Sequence, residues 1–194
     1  MYMGKCKVEV KIKMKFVQPI RDKDKITEIK ALLLKSNYRN YALFTLGINT
    51  GFRISDILEI KVSDVINKTH IAIKEKKTGK LKKAYINSSL KEELDKYIFD
   101  MNDDDFLFRS REGENKPISR VRAYQLLTDV AKKVGLEEIG THTLRKTFGY
   151  WHYKQHKDIA LLQELFNHSA PSVTLRYIGI NQDAMDASLQ DFYL

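Results

Sequence analysis

Cysteine is almost missing: Cys6 is the only one among 194 residues. With no partner in the chain, no internal disulfide and no cysteine-built zinc site can form, which fits a reducing compartment. Long apolar runs are missing too. No stretch approaches the roughly 20 residues that a membrane-spanning helix needs. The start, MYMGKCKVEVKIKMKF, is too rich in lysine for a signal peptide. The expectation is a soluble, cytoplasmic protein with no membrane partner. No internal repeat and no Ser- or Pro-rich linker divides the chain, so its length suits one domain with a short arm. Acidic residues are in deficit, 25 against 34 Lys and Arg, for a net charge of +9. That excess favours a polyanionic partner, nucleic acid first and an anionic membrane surface second.

What is present supports a sizeable core, with 43% hydrophobic residues and 10% aromatics. Val8, Val10, Ile12, Met14 and Phe16 alternate with Glu9 and lysines, which predicts a strand with one basic face. Helical spacing of Ile26, Ile29, Leu32 and Leu33 predicts a helix over 25–36, and a second over 37–49 closed by Thr50-Gly51. Ser55 is the expected cap of a short helix over DILEI. THIAIKEKKTGKLKKAYIN then changes period: Ile71 and Ile73, a Thr78-Gly79 turn, Ala84 and Ile86. This reads as a β-hairpin with a lysine-rich tip. Helices are expected over SSLKEELDKYIF, over SRVRAYQLLTDVAKKVG up to Gly135, from Thr141 over HTLRKTFGYWHYKQ, from Asp158 over DIALLQELF, and over the tail. NDDDFLFRSREGENKP reads as a loop with a short extended core. The class is α+β, mainly α-helical with one small antiparallel sheet.

Several residues in this frame suit phosphate chemistry. His142 and Arg145 stand three apart on one helix. Arg53 directly follows a helix end. Lys77 sits at the hairpin tip. His168 and Tyr177 lie on either side of an Ala-Pro-Ser break. Each alone has a plain explanation as a cap, a solvated charge or a packed ring. Together they supply what phosphodiester cleavage needs: a nucleophile, fixed cations for the non-bridging oxygens, and a proton donor for the leaving oxygen. Arginine suits the clamp because its planar fork binds phosphate bidentately and keeps its charge.

The segments TGFRISDILEIKVSDV, the Lys77 hairpin, HTLRKTF, LFNHS and TLRYIGI resemble the catalytic domain of the tyrosine recombinases, the phage integrase family that includes the Xer recombinases. The resemblance covers residues 17–180. It implies a site-specific recombinase or integrase that cleaves and rejoins double-stranded DNA through a 3′-phosphotyrosine. Position by position, Tyr177 is the implied nucleophile, Arg53 and Arg145 hold the phosphate, and Lys77 protonates the 5′-oxygen. His142 helps take the tyrosine proton, His168 bonds the phosphate, and Asp56 braces the site. No metal, ATP or other cofactor is implied. Free monomers that form tetramers on DNA are the implied assembly. Two other readings stand beside it: an integrase-derived DNA-binding module without strand exchange, and a relaxing enzyme like the type IB topoisomerases.

Departures from the family pattern are Asn167, where glycine is usual, and Lys82 and Tyr85, where arginine and proline are usual. The family also carries a separate N-terminal helical domain. The expected division here is a basic arm or strand (1–19), a catalytic domain (20–180) and a helical tail (181–194), either as a stand-alone domain or after loss of an N-terminal piece. Lys74, Lys76, Lys80, Lys82 and Lys83 are expected to face DNA phosphates. In the tail, Met185, Leu189 and Phe192 follow helical spacing after Gly179 and are candidates for docking on a neighbouring subunit, the alternative being packing in cis. His152 and His156 share a metal-ligand spacing, but Tyr153 stands where the zincin pattern needs glutamate, so no metal is expected. Trp151, among Phe148, Tyr150 and Tyr153, is expected in the core.

Overall fold

The computed structural model describes residues 17–193, so the expected strand over 8–16 lies outside the described residues. Nine helices and one hairpin are described: α1 Lys23–Ser36, α2 Tyr38–Thr50, α3 Ile54–Ile57, β1 His70–Lys74, β2 Leu81–Tyr85, α4 Ser88–Ile98, α5 Arg120–Lys133, α6 Thr143–His156, α7 Ile159–Phe166, α8 Pro171–Ile178 and α9 Ile180–Leu189. A single 3₁₀ turn, Val62–Asp64, links α3 to the hairpin. The α+β class read from the sequence is the class observed.

The helix boundaries follow local chemistry. Asn37 caps α2 by accepting from Asn40 N, Asn87 caps α4 from Leu90 N, Ser119 caps α5 from Arg122 N, and Asp158 caps α7 from Leu161 N. Two boundaries differ from expectation. Ser55 does not cap α3; the cap position is Arg53, with no side-chain cap bond, and Ser55 lies inside the helix. Helix α6 starts at Thr143, with His142 at the cap position. Thr143 is drawn inward, where its Oγ1 accepts from Gly140 N and donates to Gln18 O, both at 3.0 Å.

Most of the helices share one core. Ile29 and Leu33 of α1, Leu43, Phe44 and Leu46 of α2, Leu90 and Leu94 of α4, and Leu127 and Val130 of α5 pack with Leu144 of α6 and the inner face of the hairpin. A second, smaller core consists of Leu162, Phe166 and Ile178, with Phe148, Tyr153, Ile159, Leu165, Tyr177 and Ile180 packed on it. It joins α6, α7 and α8. Gly149 makes that junction possible: a Cβ there would stand 2.7 Å from both Ile178 Cγ2 and Phe166 Cε2.

The hairpin pairs His70 with Tyr85, Ile71 with Ala84, Ala72 with Lys83, Ile73 with Lys82 and Lys74 with Leu81. Cross-strand partners share a face, so Lys82 lies beside Ile73 on the inner face. Lys82 was expected among the outward lysines; strand alternation turns it inward instead, to 14% side-chain exposure. Lys74, Lys76, Lys77, Lys80 and Lys83 are exposed. Trp151 is half-buried rather than deep in the core: its Nε1 donates to Ile20 O at 2.9 Å and Lys23 Nζ lies 4.8 Å over its ring.

Candidate active site

Gly51 ends α2 in the left-handed region, φ 64°, and a Cβ there would come within 2.4 Å of the Phe148 ring. Backbone conformation and close approach both call for glycine. The chain then turns so that Arg53 stands at the head of α3. Its Nη1 is ion-paired with Glu75 Oε1 at the end of β1. Asp56, one turn on, is 3% exposed, and its Oδ1 accepts from Lys76 N at 3.1 Å. Asp56 thereby holds the hairpin turn against α3.

Arg145 is 2% exposed. Burial of a cation this deep is costly unless its donors are satisfied. Nη1 donates to Gly51 O at 2.6 Å, Nη2 donates to Phe166 O at 2.9 Å, and the guanidinium lies 4.2 Å over the Phe166 ring. Two of its five N–H donors are thus used to fix the side chain, and the Tyr177 hydroxyl is a further hydrogen-bond partner.

Asn167 ends α7 at φ 52°, so asparagine takes the left-handed position where the family usually has glycine. His168 follows. Its Nδ1 lies 3.1 Å from Thr174 Oγ1, and its ring meets those of Phe166 and Tyr177 edge-on, at 5.3 and 5.1 Å. Burial first, then the charges of Arg145, Arg53 and Lys82, pull its pKa down to about 4. Pro171 opens α8 after this turn, and Tyr177 rides on its last turn. The Tyr177 hydroxyl is 3.3 Å from His142 Nδ1, and Lys146 Nζ sits 5.2 Å over the tyrosine ring. Burial raises the Tyr177 pKa, while Arg145 and Arg53 draw it back. The His142 pKa is lowered by burial, then by Lys146 and Arg145, so the ring is neutral at pH 7.

Arg53, Lys77, His142 and Arg145 line one open cleft of about 670 Å³, together with Ser55, Lys76, Ser119, Arg120 and Thr141. The cleft is charged and open, suited to a polyanion rather than a small apolar ligand. The structure therefore gathers the residues singled out from the sequence: four line the cleft, and Tyr177 and His168 stand against His142 and Arg145. It adds Glu75, Lys146 and Arg120, which sequence reasoning passed over. Glu75 is a lone acid in a lysine run, and no local pattern marks it. Among the described residues no three His, Cys, Asp or Glu gather as a metal site, and no helix is long and apolar enough to cross a membrane.

The comparisons with known proteins define the family and the fold. Residues 22–183 match the phage integrase family. The probable integrase/recombinase YoeC of Bacillus subtilis (strain 168) is 52% identical over 179 residues, spanning 92% of this chain and 98% of that protein. A crystal structure of XerA recombinase superposes with a TM-score of 0.71 at 22% identity, covering 91% of this chain and 67% of that one. A lambda integrase tetramer bound to a Holliday junction gives 0.66 at 21% identity, covering 83% of this chain and 48% of that one. The chain belongs to the phage integrase family and is a tyrosine-type recombinase. It spans nearly all of YoeC but only about half of the lambda integrase chain.

Proposed function

We propose that the protein cleaves and rejoins double-stranded DNA at specific sites through a 3′-phosphotyrosine formed on Tyr177. The observation that carries this reading is the Tyr177 hydroxyl, held 3.3 Å from a neutral His142 and beside Arg145, within one chain. A tyrosine hydroxyl at its ordinary pKa is a weak nucleophile and needs a base. His142 Nδ1 accepts that proton when Nε2 carries the ring hydrogen. The phenolic oxygen then forms a bond to phosphorus as the bond to the 5′-oxygen breaks. The new charge on the non-bridging oxygens is met by Arg53 and Arg145. His168 adds a hydrogen bond from Nε2 when Thr174 Oγ1 donates to its Nδ1. Lys77, exposed on the hairpin turn and lining the cleft, supplies a proton to the leaving 5′-oxygen. Rejoining runs the steps in reverse, with the 5′-hydroxyl attacking the phosphotyrosine. The bond energy is conserved in that ester, so no step calls for ATP.

The exposed lysines of the hairpin, Lys74, Lys76, Lys80 and Lys83, are placed to neutralise flanking phosphates. A duplex carrying a nick beside the scissile phosphate tests the central claim, because loss of the short leaving strand traps the covalent protein–DNA adduct. Wild-type protein is expected to form it. Tyr177→Phe keeps the ring and its packing, so it should bind DNA and form none. An adduct of full yield from that variant would remove Tyr177 as the nucleophile; no adduct from wild type would favour a DNA-binding module.

Assembly on DNA is proposed to run through α9. No residue of this helix is buried, and Met185, Leu189 and Phe192 are 52%, 62% and 62% exposed. Exposed apolar side chains clustered on one short tail are the mark of a surface that is covered elsewhere. Its first turn is nonetheless tied in cis, because Asp183 accepts from Arg21 Nε at 2.8 Å. Truncation after Ala184 keeps that tie and removes the apolar residues. The truncated chain should stay folded and bind a half-site, yet lose cooperative assembly in a gel-mobility titration. Loss of the thermal transition on truncation would show that the tail packs on its own subunit.

A further inference from the structure

Two buried charges have no task in the chemistry just described. Glu75, at the end of β1, is 2% exposed, and Lys82, across the hairpin, has its Nζ sealed from solvent. Glu75 Oε1 pairs with Arg53 Nη1 and lies 3.8 Å from Lys82 Nζ. Its Oε2 accepts from Thr78 Oγ1 at 2.7 Å. Lys82 Nζ makes no hydrogen bond among the described residues and stands 5.9 and 5.8 Å over the rings of Phe52 and Phe166. Burying a carboxylate and an ammonium costs free energy that a hydrophobic pair of the same shape would not. The three contacts of the carboxylate show what that cost achieves. One is the clamp arginine, one is the turn that carries Lys77, and one is the buried cation.

We propose that Glu75 is a positioning residue for DNA cleavage: backed by Lys82, it aims the Arg53 guanidinium into the cleft and fastens the Lys77 turn beside it. This rests on the strand-cleavage reading above. An arginine already held by a fixed carboxylate has given up the rotamer freedom that gripping a phosphate would otherwise consume. The same carboxylate also offsets the mutual repulsion of Arg53, Arg145 and Lys82 before DNA arrives. Against this, a negative charge near the cleft repels the incoming phosphate, and Lys82 partly screens that repulsion. Burial first, then Arg145, lowers the Lys82 pKa to about 8, which leaves it cationic at neutral pH. The two effects act on different quantities. Repulsion acts on binding, and aim acts on the cleavage step.

Glu75→Gln separates them, because glutamine keeps the shape and loses the charge. Measured on the nicked duplex, its single-turnover rate of adduct formation should fall roughly ten- to a hundredfold, the cost of misplacing a reacting group by about an ångström. Its half-site Kd should stay the same or tighten. General damage to the fold would weaken both. A Glu75→Gln rate equal to or above wild type overturns the inference while leaving strand cleavage intact. A wild-type protein that forms no adduct overturns both. If Glu75→Gln lacks a cooperative thermal transition, the Lys82 variants decide. Lys82→Arg should keep the wild-type rate and Lys82→Met should lose it; equal rates for the two overturn the inference.

Discussion

Arg53 stands against a core built from six helices and the hairpin, whose interior includes Leu43, Phe44, Leu46 and Ile57 at 1% exposure or less. Tyr177 lies on α8 and His168 on the turn between α7 and α8, two eight-residue helices whose buried interior is Leu162, Phe166 and Ile178. Burying a large aliphatic or aromatic side chain contributes about 1.5–3 kcal/mol, so the second region has far less to lose before it opens. In the proposed reaction Arg53 is therefore set in the stable part of the molecule, and the attacking Tyr177 in the weaker part. Local opening draws on such low-stability regions. Arg145 spans the two, with one nitrogen on Gly51 O in the large core and the other on Phe166 O in the small one.

That division can be broken most sharply at the arginines. Arg53→Ala and Arg145→Ala should each slow adduct formation by at least about a hundredfold, since one lost donor to a developing oxyanion costs roughly 3 to 4 kcal/mol. Arg145→Ala should also lower the thermal midpoint, because it strands two buried carbonyls at about 1–3 kcal/mol each. Arg53→Ala should lower it as well, because it leaves the buried Glu75 carboxylate without its arginine. Cleavage within a few-fold of wild type in either variant would remove that arginine from the clamp, and an Arg145→Ala midpoint equal to that of wild type would remove Arg145 as the bridge.

A core truncation on each side sharpens the contrast. Ile57→Ala and Ile178→Ala both delete a fully buried side chain, at a cost of about 2–5 kcal/mol. Ile57→Ala should speed amide hydrogen exchange across the helices of the large core. Ile178→Ala should speed it in α7 and α8 while leaving α2 protected. Exchange that rises uniformly in both variants would mean that the two cores open as one unit.

The smallest effect is in acid. His142 and His168 both have pKa values below the ordinary 6.5 of histidine, His168 at about 4. The unfolded chain therefore takes up these protons first as pH falls. The stability held by the neutral rings is complete above pH 6.5 and is lost progressively as pH drops toward 4. The acid limb of cleavage at subsaturating DNA should be centred below pH 6.5, where the free protein's base becomes protonated. An acid limb centred at or above pH 6.5 would exclude His142 as that base.

The sequence carried the helices and hairpin clearly because their signals are local. Asn37, Asp158 and the Thr50-Gly51 end each act within one turn of chain. The misplaced Ser55 cap shows the limit: Gly51 and Phe148 set where α3 begins, and Phe148 is 97 residues further along (148 − 51). The inward Lys82 was legible and was passed over, for it keeps step with Ala84 and Ile86, whose alternation had already defined the inner face. Six motif residues could be named in order from the sequence, and their meeting was implied only by the family resemblance, since the Tyr177–His142 contact depends on how α8 crosses α6 at Gly149. Glu75 was hidden for a further reason: its meaning comes wholly from Arg53, a partner on another element.

The segment before α1 has a consequence for how the molecule is made. Ile20 N donates to Thr147 Oγ1, Lys146 Nζ donates to Val17 O, and Arg21 reaches Asp183, contacts that span 127, 129 and 162 residues of sequence. Contacts between such distant positions carry the largest loop-closure entropy and are expected late in folding. They run along α6, the helix that bears His142 and Arg145, and up to the residues just beyond Tyr177. Emerging from a ribosome, the chain can form its α2–α4 core early. The Arg21–Asp183 tie, just beyond Tyr177, closes only after α9 has been synthesised, so it is the last of these three contacts to form.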